Sequence, residues 1–281
     1  MPLAFVAGAS GATGRFLLPR LLAAGCEVIA LSRQPRRSDD ARLRWIVGDL
    51  DRGVPLMQTP DWIFSVGPLD AFARWFAQTP AQLAPRVVAL GSMSIDSKRD
   101  SPDAAERDVV ERLGTAEHDL ARACAERGSA WTVLRPTLIY GAGVDRSLTP
   151  LARRALRWRV FPQVVGAHGL RQPVHADDLA AACLAVVQRP ACAGRTYAVG
   201  GGERLAFDAM LGRVRDALPR YSLPLPLPLA AVRLLARAGF APRAAVERLT
   251  RDLIADDAAA RADFGWMPRP FVPDAQSLGI D

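Results

Sequence analysis

Five consecutive apolar residues, Leu3 to Ala7, open the chain and stop at Gly8. An unbroken run of this length suits a strand covered on both faces, as in a parallel sheet. The period then changes: Phe16, Leu17, Leu21 and Leu22 recur at helical spacing between Arg15 and Ala24, and Gly25 ends the segment. Further strands are predicted over 27–31, 43–47, 62–66, 86–90 and 131–134, with helices over 69–78 and roughly 102–127. Parallel neighbours need crossover connections, so this order predicts an α/β fold built on a doubly wound parallel sheet.

Beyond Tyr140 the pattern loosens. Segments 149–158, 176–188 and 207–218 read as helices and 196–199 as a strand. The alternating Leu/Pro segment 223–229 cannot be helix interior and reads as an extended connector. Helices over 230–238 and 243–254 are expected after it, and no internal repeat is visible. The expected organisation is a sheet domain of residues 1–148, to which 174–200 return, and a smaller C-terminal lobe made of 149–173 and 201–281.

Composition narrows the class. Half of the residues are hydrophobic and 23% are charged, as in a folded globular chain rather than a disordered one. No run approaches the roughly 18 uncharged apolar residues of a membrane span, and strand-like sequence from Leu3 leaves no stretch for a leader, so a cytoplasmic location is expected. The net charge is +7, but Lys98 is the single lysine and the arginines are scattered; this argues for compositional bias and against nucleic acid as a partner. Cys26, Cys124, Cys183 and Cys192 form no CxxC pair and are expected to be buried and reduced. His118, His168 and His175 show no metal-ligand spacing, so no metal site is expected.

The strongest chemical signal is "GASGATG", with Gly8, Gly11 and Gly14 between the first strand and the first helix. Glycines there let the backbone turn tightly and approach a pyrophosphate, whose charge meets unpaired N–H groups at the helix N-terminus. Ser10, Ala12 and Thr13 belong to the same turn. At the end of the second strand a site for an unphosphorylated ribose would place an acid, whereas "ALSRQPRR" supplies Ser32, Arg33, Arg36 and Arg37. Guanidinium groups suit a 2′-phosphate, so NADP(H) is favoured over NAD.

With "GDL" after the third strand, "RPTLIYG" after the sixth, "RQPVHADDLA" and a terminal "FGWMPRPF", the chain resembles an atypical or extended short-chain dehydrogenase/reductase. It is most similar in style to the nucleoside-diphosphate-sugar epimerase-like members and the complex I accessory-subunit type. The resemblance spans nearly the whole sequence and implies a Rossmann domain. It implies that Asp49 and Leu50 flank the adenine, that Ser65, Val66 and Gly67 line the cofactor, and that Pro136 to Leu138 lie along the nicotinamide. The alternative for Asp49 is a turn-forming aspartate, the less favoured of the two readings. The expected substrate is a small carbonyl compound or a nucleotide sugar; neither substrate nor oligomeric state can be read from the sequence.

Chemistry in that family needs a tyrosine, a lysine four residues later, and an orienting serine or threonine. Ser92 in "ALGSMSI" fits the serine, with Ser94 as its rival. The YxxxK element is absent: the residue four before Lys98 is Ser94. Counting back from "TAEHDL" and Arg135 puts Val109 and Leu113 in the places of tyrosine and lysine. Tyr140 is the candidate substitute acid, with Glu106 and Asp108 as carboxyl alternatives. His175, Asp177 and Asp178 read as capping or bracing residues. Two functions follow: an NADP(H)-binding, epimerase-like oxidoreductase with atypical or weak chemistry, or a non-catalytic dinucleotide-binding sensor or structural protein. Peripheral association through the connector and "AAVRLLARAGF" is a third reading, weakened because the apolar side of that short helix is expected to face the core.

Overall fold

The computed structural model describes residues 1–79, 85–240 and 242–281. Its first half alternates β1 (Leu3–Ala7), α1 (Ala12–Ala23), β2 (Glu27–Ser32), β3 (Leu43–Val47), β4 (Trp62–Ser65), α2 (Leu69–Gln78) and β5 (Arg86–Leu90). A one-turn helix α3 (Ser94–Ser97) and the long α4 (Ala104–Arg127) lead to β6 (Trp131–Pro136) and the short β7 (Ile139–Tyr140). Then come α5 (Leu148–Trp158), β8 (Val160–Val165), β9 (Leu170–Arg171), β10 (Val174–His175), α6 (Ala176–Val187) and β11 (Arg195–Val199). The chain closes with β12 (Leu205–Ala206), α7 (Phe207–Asp216), β13 (Leu223–Pro228), α8 (Leu229–Arg237), α9 (Arg243–Glu247), α10 (Ala258–Phe264) and α11 (Ala275–Leu278).

Seven strands form one parallel sheet in the order β11-β6-β5-β4-β1-β2-β3, a Rossmann-type arrangement whose strand order reverses between β1 and β4. The unbroken apolar run in β1 follows from this central position. Ala4 and Val6 enter the core under α1 and α6, while Phe5 and Ala7 enter the core under α2 and α4. A third apolar cluster lies beyond the strand ends, where Tyr140, Leu148, Ala152, Phe161, Met210, Val214 and Phe271 meet. All four cysteines are buried and free. No helix among the described residues is long and apolar enough to cross a membrane.

Two expectations need correction. The Leu/Pro segment is β13, paired in parallel with β8 from Leu223 opposite Val160 to Pro228 opposite Val165. The Leu223 N–H donates to the Arg159 carbonyl at 2.8 Å. Successive N–H groups of a strand alternate sides, so the leucines donate to β8 and every proline falls where no donor is needed, as on an edge strand. The helix expected over 243–254 ends earlier, with α9 at Glu247 and a 3₁₀ turn at Arg248–Thr250. Past that turn the chain pairs with β9: Leu253 N–H reaches the Leu170 carbonyl, and Asp252 Oδ1 accepts from Leu170 N–H, both at 2.8 Å.

Candidate dinucleotide and substrate site

Gly8 has φ +84°, and a Cβ there would lie 2.5 Å from Gly67 N. The turn after β1 and the turn after β4 therefore touch, at the strand-order reversal where dinucleotides bind. Gly14 is equally constrained, since its Cβ would sit 2.4 Å from the Ala9 carbonyl oxygen. At Gly11 the nearest atom would be the Gly8 carbonyl oxygen at 3.1 Å. Gly11 is also the N-cap of α1, with no side-chain cap and no acid in the first turn. The N–H groups of that turn and their partial positive charge therefore stay available to an anion. Thr13 is buried and Ser10 half-buried.

The end of β2 lies beside the end of β1, as Val6 pairs with Ala30. Ser32 is buried there and accepts a hydrogen bond from Gln34 N–H at 3.2 Å. Arg33, Arg36 and Arg37 are exposed, and none forms an ion pair among the described residues. The Arg36 guanidinium lies 5.4 Å from the Trp45 ring centre. Asp49 accepts from Asp51 N–H at 2.9 Å and its backbone bonds to Gly53, a tight turn, while Leu50 packs on the core. Ser65 is fully buried with a hydroxyl that has no hydrogen-bond partner, and Val66 sits between it and Gly67.

A cavity of about 850 Å³ opens at the C-terminal ends of the strands. Ala12 of α1, Ser92, Ser94, Pro136 and Leu138 share its wall, so the structure joins the glycine turn to the predicted serine and to the segment after β6. The Ser92 hydroxyl accepts from Ser94 N–H at 3.1 Å, in the turn that leads into α3. Thr137, also on the wall, donates to the Gln172 carbonyl.

Tyr140 is elsewhere. It is 1% exposed in the third apolar cluster, edge-on to His175 at 5.1 Å and Phe271 at 4.8 Å, and no tyrosine lines the cavity among the described residues. Burial pushes its pKa above the usual phenol value. The bidentate pair of Arg135 with Glu117 fixes α4 against β6. Leu113 and Val109 lie one and two turns before Glu117, on the same face. Glu106 is not available as a neutral acid. Burial opposes its ionised form, yet hydrogen bonds from Ser101 and Arg248 and the charges of Arg248 and Lys98 prevail and hold its carboxyl below the usual range.

Four cationic residues on the wall were not singled out by sequence reasoning as site residues, Lys98, Arg146, Arg171 and Arg248, and they share it with Asp96, Asp145 and Asp252. Arg171 is 6% exposed and its guanidinium donates to the Leu170, Arg251 and Arg248 carbonyls at 2.7–2.9 Å, without an ion pair among the described residues. Burial, then repulsion from Arg248, lowers its pKa to about 10, so it stays charged at neutral pH. Its place in "RQPVHADDLA" was the available signal; Arg248 lay within the helix expected over 243–254. His175 Nδ1 accepts from Asp177 N–H at 3.1 Å and is the true cap of α6. Asp177 and Asp178 brace instead: Asp177 pairs with Arg20 and Arg269, and Asp178 with Arg269.

A glycine turn at the reversal point of a doubly wound sheet defines a dinucleotide-binding protein. The chain belongs to the NAD(P)H-binding family, whose model matches residues 8–190. It is 24% identical over 247 residues to NADH dehydrogenase (ubiquinone) 1 alpha subcomplex subunit 9 of Dictyostelium discoideum, covering 78% of this chain and 65% of that protein. It is 24% identical over 171 residues to UDP-glucose 4-epimerase of Vibrio cholerae, covering 61% and 52%. The chain thus spans between about half and two thirds of these relatives. The fold is that of UDP-glucuronic acid 4-epimerase from Bacillus cereus, solved with NAD, at a TM-score of 0.73 and 12% identity over 99% and 97% of the two chains. UDP-glucose 4-epimerase of Thermotoga maritima, solved with UDP-glucose, gives 0.69 and 13% over 100% and 97%.

Proposed function

We propose that this protein binds NADP(H) across the Gly8–Gly14 turn and acts weakly, as an epimerase-like oxidoreductase, on an anionic carbonyl compound or nucleotide sugar held in the adjoining cavity. The observation that carries the reading is the continuity of one cavity wall from Ala12 to Ser92, Pro136 and Leu138. Arg33, Arg36 and Arg37 are the groups that would receive a 2′-phosphate, with Ser32 shaping the loop; Asp49, Leu50 and Ser65 to Gly67 would border the adenosine side. Residues 149–173 and 201–281 form the substrate-facing part in this reading. Arg171 supports an anionic substrate, because a buried guanidinium facing a cavity is stabilised by a negative ligand.

Ser92 is the orienting hydroxyl. With Val109 and Leu113 in place of a phenol and an ammonium, proton transfer falls to water or to the substrate itself, and turnover is slow. The rival reading, a non-catalytic dinucleotide sensor, draws on the same missing tyrosine. Calorimetric titration of NADPH and NADH, followed by turnover assays with UDP-sugars and small carbonyl compounds, separates the two. NADPH should bind more tightly, and Arg33→Glu should weaken it by about 10- to 100-fold while changing NADH far less. Equal losses for both cofactors would reduce Arg33 to a loop residue, and tight binding without turnover would favour the sensor.

A further inference from the structure

Among the described residues, eight of the fourteen large exposed apolar residues lie around one corner of the molecule: Trp158 at the end of α5, Val165 at the end of β8, Tyr221, Leu223 and Leu225 on β13 and its approach, and Leu234, Leu235 and Phe240 on and just after α8. These elements are mutually packed, α8 lying against both strands. The sequence expectation that the apolar side of α8 is core holds only for Leu229, Val232 and Ala236, which turn inward at helical spacing. Leu234 is 67% and Phe240 81% exposed. Exposed apolar side chains gathered on mutually packed elements in this way mark an interaction site.

Charge decides the partner. Between Asp216 and Glu247 the sequence contains Arg220, Arg233, Arg237 and Arg243 and no acid. Arg233 and Arg237 flank the exposed Leu234 and Leu235 of α8 and are themselves exposed. A two-fold contact with a second copy would set this face against itself, arginine against arginine with no carboxylate to pair. A bilayer surface with anionic headgroups satisfies both features: leucine and aromatic side chains enter the acyl boundary while guanidinium groups extend to the phosphates.

We propose that the β8–β13–α8 corner is a peripheral docking surface for anionic lipid bilayers. The test is flotation of the full-length protein with phosphatidylcholine vesicles, with and without about one third phosphatidylglycerol, at low and high salt. The protein should float with the anionic vesicles and be released by salt. Leu234→Glu/Phe240→Glu should weaken partitioning about tenfold or more, and Arg233→Gln/Arg237→Gln should do so only for anionic vesicles. All four positions are exposed, so a retained thermal transition and dinucleotide affinity show that these variants are folded. Absence of flotation with anionic vesicles, or equal flotation of both variants and the parent, overturns the proposal. A concentration-dependent dimer abolished by Leu234→Glu/Phe240→Glu, without vesicle binding, overturns it in favour of self-association.

Discussion

The three glycines of the first turn look alike in sequence and differ in the structure. A Cβ at Gly8 or Gly14 meets backbone at 2.5 or 2.4 Å, whereas at Gly11 the nearest contact is 3.1 Å and the backbone is ordinary, with φ −77°. Gly14→Ala should therefore cost about 1–3 kcal/mol or more of folding stability through overpacking. Gly11→Val should cost about 1 kcal/mol, the penalty for a poor N-cap, yet abolish dinucleotide binding because the side chain enters the pyrophosphate space. Thermal melts paired with calorimetry check this; retained affinity in Gly11→Val would remove the cofactor assignment. The contrast between Ser92 and Tyr140 is of the same kind. Ser92→Ala should lower any turnover without greatly changing cofactor affinity, whereas Tyr140→Phe should leave turnover intact and shift stability by less than about 1 kcal/mol, since it deletes a buried hydroxyl with no well-formed hydrogen bond among the described residues. A large turnover loss in Tyr140→Phe would place the chemistry on the other side of that tyrosine.

Among the elements, α6 offers a pH-dependent test. Burial, then the charge of Arg269, depresses the His175 pKa below its usual 6.5, against the opposing carboxylates of Asp178, Asp177 and Asp274. The neutral ring accepts the capping N–H of Asp177. A depressed histidine gives stability that is fully present above the unfolded-state value near 6.5 and lost as pH falls toward and through the folded-state value. His175→Asn keeps an acceptor at the cap and removes the titration, so the melting temperature should decline less between pH 7 and 5 than in the parent. An unchanged slope would assign the acid sensitivity elsewhere. Such caps were partly legible: "PVHADD" pointed to capping, and in the folded chain the imidazole rather than Asp178 does it. The sheet was read almost residue by residue, with β1, β3, β5 and α2 ending where the apolar pattern ends; for β1 and β5 the reason is burial on both faces, which tolerates little but apolar residues. β13 was missed because pairing depends on a partner, β8, whose own sequence carries no strong strand signal. α9 was overextended because its helical spacing continues past the point where Leu253 is captured by β9. The glycine turn after β1 was legible from its spacing; the charged wall of the cavity was not, because Arg171 and Arg248 are distant in sequence and scattered among many other arginines.

At the scale of the whole molecule, charged clasps tie the chain after β11 back to the sheet; besides Arg195 of β11 on Asp263 of α10, two stand out. One is Arg269 reaching Asp177 and Asp178, with Arg20 of α1 on the same carboxylate. The other is Glu106 of α4, whose side chain is 15% exposed and holds Arg248 from the far side of the cavity together with Lys98 and Ser101. Glu106 therefore does two opposed things: it closes the molecule, and it neutralises two cations that face the cavity. Glu106→Gln removes the charge and keeps the shape. Because the cluster is only partly buried, the loss of stability should be about 1–3 kcal/mol, below the figure for a fully buried pair. Arg248 and Lys98, no longer neutralised, should then bind anions more strongly. UDP, used as a probe in place of a full substrate, should show a higher affinity for Glu106→Gln than for the parent at low salt, and the difference should shrink as salt is added. A parallel fall in stability and UDP affinity would mean that the clasp acts by holding the cavity walls in place, and that the cavity's positive charge is secondary to its shape.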